Sequence, residues 1–335
     1  MDKKRYRGRY ERRHRRKRKQ RRRRNRIVGL TIILMALILG GTVFCAGILI
    51  RQHTPSSKEK TKELSGGILE SAIDLEHLYS PYVILLDADS GEILAGMNTQ
   101  KRIYPASLTK IMTAVLAAEH TEDMEETVTL AAGMFEELYE QNASRAGFEP
   151  GEKVRLQDLF YGILLPSGAE CCVAFADRIS GSEEEFAKLM NQKAKELGMK
   201  DTHFCNSTGL HDPDHYSTVK DIGILLQYAL QSDEFRTAFT AHSYTSSPSE
   251  WHVDGLTFYS TMFKKMESAE VIGGEILGGK TGYTEEAGLC LASLARIRGK
   301  EYILVTAGAD GSQETEPFHI LDAVEVYDQV GEWGN

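Results

Sequence analysis

The stretch YPASLTKIMTAVL, residues 104–116, sets one serine and one lysine, Ser107 and Lys110, at the head of an apolar run. Leu108, Ile111, Met112, Val115 and Leu116 recur behind them at helical spacing, so the segment reads as a buried helix. On such a helix, residues three apart lie about 60° apart around the axis, which turns the Ser107 hydroxyl and the Lys110 amine to the same side. A neutral lysine amine can take the proton of a serine hydroxyl, and burial or a nearby positive charge makes a lysine neutral. The pair therefore reads as nucleophile and base. The same S-x-x-K spacing recurs at Ser57/Lys60 and Ser217/Lys220. The first sits in a polar stretch, and STVKD reads as the capped start of a helix. Only at 107–110 do both polar groups stand among apolar residues, where each would cost roughly 2–7 kcal/mol if left unpartnered.

Two further short motifs carry usable chemistry. In LLPSGAE, Ser167 and Gly168 fall between an apolar run and an expected helix, a position that a capped turn would also explain. In GGKTGYT, Lys280, Thr281, Gly282 and Tyr283 fall in an expected strand, where an amine and a hydroxyl suit a carboxylate laid along a sheet edge. No metal-binding spacing is present: Cys171 and Cys172 are adjacent, and the ten histidines form no H-E-x-x-H pair. Zinc-dependent hydrolysis therefore has little support.

The elements that must position these residues are legible in outline. YVILLDA and EILAGM flank the turn DSGE as a hairpin, and helices are expected at 155–165, 169–180, 183–197 and 219–231. EILGGKTGYT, GLCLASLARI and EYILVTAGA have strand composition, and PFHILDAVEVYDQV closes the chain as an amphipathic helix. Strands at both ends around a helical middle predict an α+β fold with a largely antiparallel sheet built from the two ends of the domain.

The net charge of −8 hides a split. Residues 1–26 hold 17 Lys and Arg against 2 acids, leaving 23 basic against 46 acidic residues for the rest. Such a basic tail could bind nucleic acid, but it is followed by 24 uncharged residues, 27–50, long enough to cross a hydrocarbon core of about 30 Å. This predicts a transmembrane anchor with the tail on the cytoplasmic side, and an acidic body outside that repels nucleic acid. Residues 51–67 read as a polar stalk, and 68–335 as one extracytoplasmic domain. Of the five cysteines, Cys171, Cys172, Cys205 and Cys290 fall in that domain, where disulfides are permitted but no dense framework is implied. Cys171, Cys172 and Cys290 read as small core residues, and NAS at 142 and NST at 206 as incidental glycosylation matches.

The order S-x-x-K, S-G-x, K-T-G resembles that of the active-serine penicillin-binding proteins. The wider phrases PASLTKIMTAVL, PGEKVRLQDLFYGILLPSGAE, ELGMKDTHFCNSTGLHDPDHYSTVKDIGIL and GGKTGYTEEAGLCLASLA are similar to the low-molecular-mass D-alanyl-D-alanine carboxypeptidases over most of residues 80–328. The resemblance implies a β-lactamase/transpeptidase-like fold, with a helical cluster beside a five-stranded antiparallel sheet and the site between them. It also implies a penicillin-sensitive hydrolase acting on peptidoglycan stem peptides ending in D-Ala-D-Ala, with β-lactam antibiotics as inhibitors. Carried onto this sequence, Ser107 is the nucleophile, Lys110 the base and Ser167 a proton relay. Lys280 and Thr281 hold the terminal carboxylate, and the backbone N–H groups of Ser107 and Tyr283 form the oxyanion hole. The family's middle motif usually ends in asparagine, whose amide the resemblance places against both the catalytic lysine and the substrate backbone; here it is Ala169, and nothing in the sequence identifies a replacement amide. A β-lactamase would share the three motifs, but no E-x-x-L-N loop separates the second from the third. A penicillin-binding sensor or wall-binding scaffold with weakened catalysis is the other alternative.

Overall fold

Tyr82–Asp87 (YVILLD, β1) is apolar at consecutive rather than alternate positions, the pattern of a strand covered on both faces. A computed structural model of the chain describes residues 73–333, all within one compact unit, Ser65–Asn335. The expected tail 1–26, transmembrane span 27–50 and stalk 51–67 lie outside the described residues, among which no helix is long and apolar enough to cross a membrane.

After β1 come β2 (Ile93–Met97), a 3₁₀ turn (Ala106–Thr109), α1 (Lys110–Glu119), β3 (Thr127–Thr129), α2 (Gly133–Glu140), β4 (Lys153–Arg155), α3 (Leu156–Leu164), α4 (Ala169–Ser180) and α5 (Glu183–Glu196). The second half runs α6 (Val219–Ala229), α7 (Asp233–Thr240), β5 (Ser243–Thr245), β6 (Thr257–Tyr259), β7 (Glu270–Val271), β8 (Gly274–Thr284), β9 (Gly288–Ile297), β10 (Lys300–Ala309) and α8 (Phe318–Glu332). The main sheet is antiparallel throughout, in the order β2-β1-β10-β9-β8-β7. The two ends of the domain meet where β1 pairs β10, with Ile84 opposite Val305.

The double covering of β1 follows from this order. Val83 and Leu85 pack with Leu291, Leu304, Ile320 and Tyr327 beneath α8, while Ile84 and Leu86 face the core shared with the helical cluster. The structure thus has the expected α+β architecture of sheet, helical cluster and C-terminal helix. The sheet has six strands rather than five, because β7 adds two residues at one edge, Glu270 and Val271 opposite Glu275 and Gly274. The two small sheets β3–β4 and β5–β6, of three residues per strand, are too short to show periodicity in the sequence.

One local difference bears on the chemistry. Ser107 does not lie on the α-helix but in the 3₁₀ turn before it, and Lys110 is the first residue of α1. At three residues per turn, i and i+3 eclipse, so the 3₁₀ geometry brings the two side chains closer than the α-helical offset would.

Candidate active site

Lys110 and Lys280 are among the most deeply buried side chains of the domain, 2% and 0% exposed. Lys110 Nζ lies 3.1 Å from Ser107 Oγ and donates to the carbonyl of Thr208 at 2.6 Å. Burial lowers its pKa, against the opposing fields of Cys172, Glu170, Cys171 and Glu183. A neutral amine retains one lone pair, so with an N–H bonded to Thr208 it can accept the hydroxyl proton of Ser107.

The turn that carries Ser107 is held in an unusual backbone shape. Ala106, just before Ser107, has φ 46°, left-handed for a non-glycine residue. Gly209 and Gly282 close around it: a Cβ on Gly209 would stand 1.9 Å from the Ala106 carbonyl oxygen, and one on Gly282 would stand 3.0 Å from Ser107 N. The glycine of K-T-G thus lets β8 approach Ser107 closely. Behind the turn, the Thr109 hydroxyl meets His215 Nε2 at 2.8 Å, and His215 Nδ1 accepts from Cys205 N at 3.1 Å. The latter bond leaves the proton on Nε2, and burial lowers the His215 pKa to about 4, so the ring is a neutral donor to Thr109.

Ser167 sits in the turn between α3 and α4 with φ 68°, also left-handed. Its carbonyl accepts from Ser144 Oγ at 2.6 Å, and its own buried hydroxyl has no hydrogen-bond partner among the described residues. Ala169 opens α4, with its N–H donating to the Ser144 carbonyl at 2.8 Å. The next residue, Glu170, is fully buried and accepts from the N–H groups of Ala146 and Gly147 at 2.7 and 2.9 Å, which ties the 144–147 loop to this motif. Burial raises the Glu170 pKa.

Lys280, Thr281, Gly282 and Tyr283 lie on β8 as expected. Lys280 Nζ has one partner among the described residues, the carbonyl of the adjacent Thr281 at 3.0 Å. Burial, reinforced by the charge of Lys110, holds its pKa well below the ordinary lysine range. The Thr281 hydroxyl meets that of Thr261 at 2.7 Å. β9 pairs β8 along one edge, while β7 covers the other only at Gly274 and Glu275. Among the described residues no strand pairs with that second edge beside Lys280–Tyr283, and an extended chain can add there through backbone hydrogen bonds.

Contacts link the three motifs: β8 approaches Ser107 at Gly282, and Thr261, bonded to Thr281, donates from its N–H to the carbonyl of Leu165, two residues before Ser167, at 3.1 Å. The expected cap also forms: Thr218 Oγ1 accepts from Asp221 N at 3.0 Å, so Ser217 and Lys220 belong to a helix start. Cys171, Cys172 and Cys290 are buried free thiols, with the pKa of both Cys172 and Cys290 pushed by burial to about 12; Cys205 is also free. The motifs did not disclose Thr208, Asn206, His215 or Thr261. Thr208 acts through its carbonyl, which no residue type announces. Among the described residues no cluster of metal-ligating side chains is found.

The D-alanyl-D-alanine carboxypeptidase family (Peptidase_S11) matches residues 71–311. The D-alanyl-D-alanine carboxypeptidase DacF of Bacillus subtilis (strain 168) is 35% identical over 236 residues, which are 69% of this chain and 58% of that protein. DacD of Escherichia coli (strain K12) is 31% identical over 70% of this chain and 59% of its own length. The match therefore spans less than two thirds of these curated relatives. Among solved structures, the Streptomyces K15 DD-transpeptidase superposes with a TM-score of 0.68 at 25% identity, over 75% of this chain and 97% of that one.

Proposed function

The chain belongs to the D-alanyl-D-alanine carboxypeptidase family, and on that premise we propose that it is a penicillin-sensitive serine hydrolase removing the terminal D-alanine from peptidoglycan stem peptides. The observation that carries the reading is the Ser107–Lys110 pair, 3.1 Å apart, with the amine buried and its pKa lowered. Ser107 Oγ attacks the carbonyl of the penultimate D-alanine while Lys110 takes its proton. Backbone N–H groups of Ser107 and Tyr283 receive the developing oxyanion, each such donor contributing about 2.7–4 kcal/mol. Ser167 passes a proton to the leaving D-alanine amine, and Lys280 and Thr281 hold its carboxylate. Water then hydrolyses the acyl-enzyme. A β-lactam acylates the same serine. No step requires a metal or an organic cofactor.

The basic tail and the uncharged span at 27–50 support a single-pass anchor, with residues 1–26 cytoplasmic and the catalytic domain outside the membrane. Protease added to wall-stripped cells should remove the domain; protection would contradict this topology.

The test of function combines a fluorescent penicillin with a peptide ending in D-Ala-D-Ala. An adduct mapped to Ser107 together with free D-alanine supports the carboxypeptidase. An adduct without alanine release favours the sensor or scaffold, for which Ala169 is the supporting observation, and rapid penicillin hydrolysis favours a β-lactamase.

A further inference from the structure

Lys110 has two partners for its amine among the described residues, Ser107 Oγ and the Thr208 carbonyl. A base that must present a lone pair to the nucleophile needs something else to hold its N–H groups, and Ala169 offers no amide for this. What holds the Thr208 carbonyl therefore decides where the base points.

Asn206 makes that turn. Its Oδ1 accepts from Thr208 N at 3.2 Å, Thr208 Oγ1 at 3.1 Å and Gly209 N at 2.8 Å, while its Nδ2 donates to the Leu210 carbonyl at 3.0 Å. An asparagine closing a turn on residue i+2 is ordinary loop chemistry. Here, though, the turn is clamped on both sides against the catalytic machinery. Ser207 donates from its N–H and its hydroxyl to Glu183 Oε1 at 2.9 and 2.5 Å, and its carbonyl accepts from Thr113 Oγ1 of α1 at 2.6 Å. On the other side Gly209, with φ 80°, is pressed against the Ala106 carbonyl. The clamps fix the ends of the turn, and Asn206 fixes the peptide between them, whose carbonyl meets the lysine.

We propose that Asn206 is a positioning residue for Lys110: by holding the Thr208 carbonyl on the amine, it gives the base the orientation that a side-chain amide at position 169 would otherwise share. The NST match at 206 is then a structural element, since the amide is committed to the turn. This inference rests on the proposed serine–lysine chemistry.

The test follows acylation of Ser107 by a fluorescent penicillin across pH, in the full-length chain and its variants. Asn206→Ala should slow acylation about 10- to 100-fold, the cost of a misplaced reacting group. It should also move the acid limb to lower pH, because a carbonyl accepts more strongly from an ammonium than from an amine, and its loss disfavours protonated Lys110. The other groups facing that amine stay in place: Lys280 on β8; Glu170, Cys171 and Cys172 on α4; Glu183 on α5; and His215 on the segment behind the turn. Asn206→Asp keeps the accepting oxygen but loses the donor to Leu210 and adds a negative charge that favours protonated Lys110, so at high pH it should acylate faster than Asn206→Ala, with its acid limb moved the other way, to higher pH. Adding Ala169→Asn to Asn206→Ala should raise the rate by more than Ala169→Asn raises that of wild type. A wild-type rate in Asn206→Ala overturns the inference. So does a slower rate with an unmoved acid limb and no recovery by Ala169→Asn, the mark of a purely structural turn. If wild type forms no adduct at Ser107, the proposed function itself fails, and the inference with it.

Discussion

The two sides of the site each bury a lysine, and the two lysines differ in what surrounds them. On the helical side, Lys110 stands between a hydroxyl and a carbonyl, both brought by the chain to its amine. On the sheet side, Lys280 has one partner among the described residues, the carbonyl of its own neighbour, beside the stretch of β8 edge with which no described strand pairs. Burial depresses both pKa values, so burial alone does not assign a role. The partners do. An amine held between the Ser107 hydroxyl and a carbonyl is built to exchange a proton with that serine, whereas one bonded within the described residues to its neighbour's carbonyl alone, beside an unpaired stretch of strand, is built to meet an anion from outside.

The largest effect should come from Ser107→Ala, which removes the nucleophile both lysines serve. Penicillin labelling should vanish and D-alanine release fall by about 10⁴-fold or more. Persisting adduct on another serine would break the comparison at its root.

The lysines should then separate by substrate. Lys110→Met should lower acylation by about 10²–10⁴-fold for every substrate, the contribution of a general base. Lys280→Met should lower kcat/KM about 10- to 100-fold for a peptide ending in a free D-alanine carboxylate, the worth of a charge-assisted hydrogen bond, and much less for its C-terminal amide. Equal losses on acid and amide for Lys280→Met would show that it does not read the carboxylate.

A smaller effect tests how tightly the two sides are pressed together. Gly282→Ala places a methyl 3.0 Å from Ser107 N and 3.2 Å from both the Ala106 Cβ and the Pro105 carbonyl, so the nucleophile turn must shift. Acylation should fall about tenfold or more, while the melting temperature drops by only a few degrees. Unchanged kinetics would mean that β8 and the turn move independently.

The smallest effect is on stability. Lys280 is protonated in the unfolded chain up to its ordinary 10.5 but holds its proton poorly when folded, so between the two values the unfolded state binds more protons and stability rises with pH. Lys280→Met abolishes this penalty. Without substrate it should melt higher than wild type near neutral pH, by about 2–4 °C for ~1 kcal/mol, and the gap should close as pH approaches 10.5. A gap that widens with pH would mean the folded amine is stabilised as a cation.

Much of this was legible along the chain. Val83 to Leu86 announce a doubly covered strand because consecutive apolar residues must find two apolar faces, and Thr218 announces a helix start because its hydroxyl satisfies an orphan N–H. The 3₁₀ turn at Ala106–Thr109 was not legible, since Leu108, Ile111 and Met112 suit an α-helix equally and only the packing of Gly209 and Gly282 against Ala106 imposes the tighter turn.

Residue types and short spacings determined the three motifs, their order and the Ser107–Lys110 pair, because three residues span about one helical turn and bring side chains together wherever the helix lies. Only the tertiary structure decided that the second partner of Lys110 is the carbonyl of a residue 98 positions away, with Asn206 holding it there. Every residue carries such a carbonyl, so nothing in the letters marks one for use; its role comes from the place where folding leaves it.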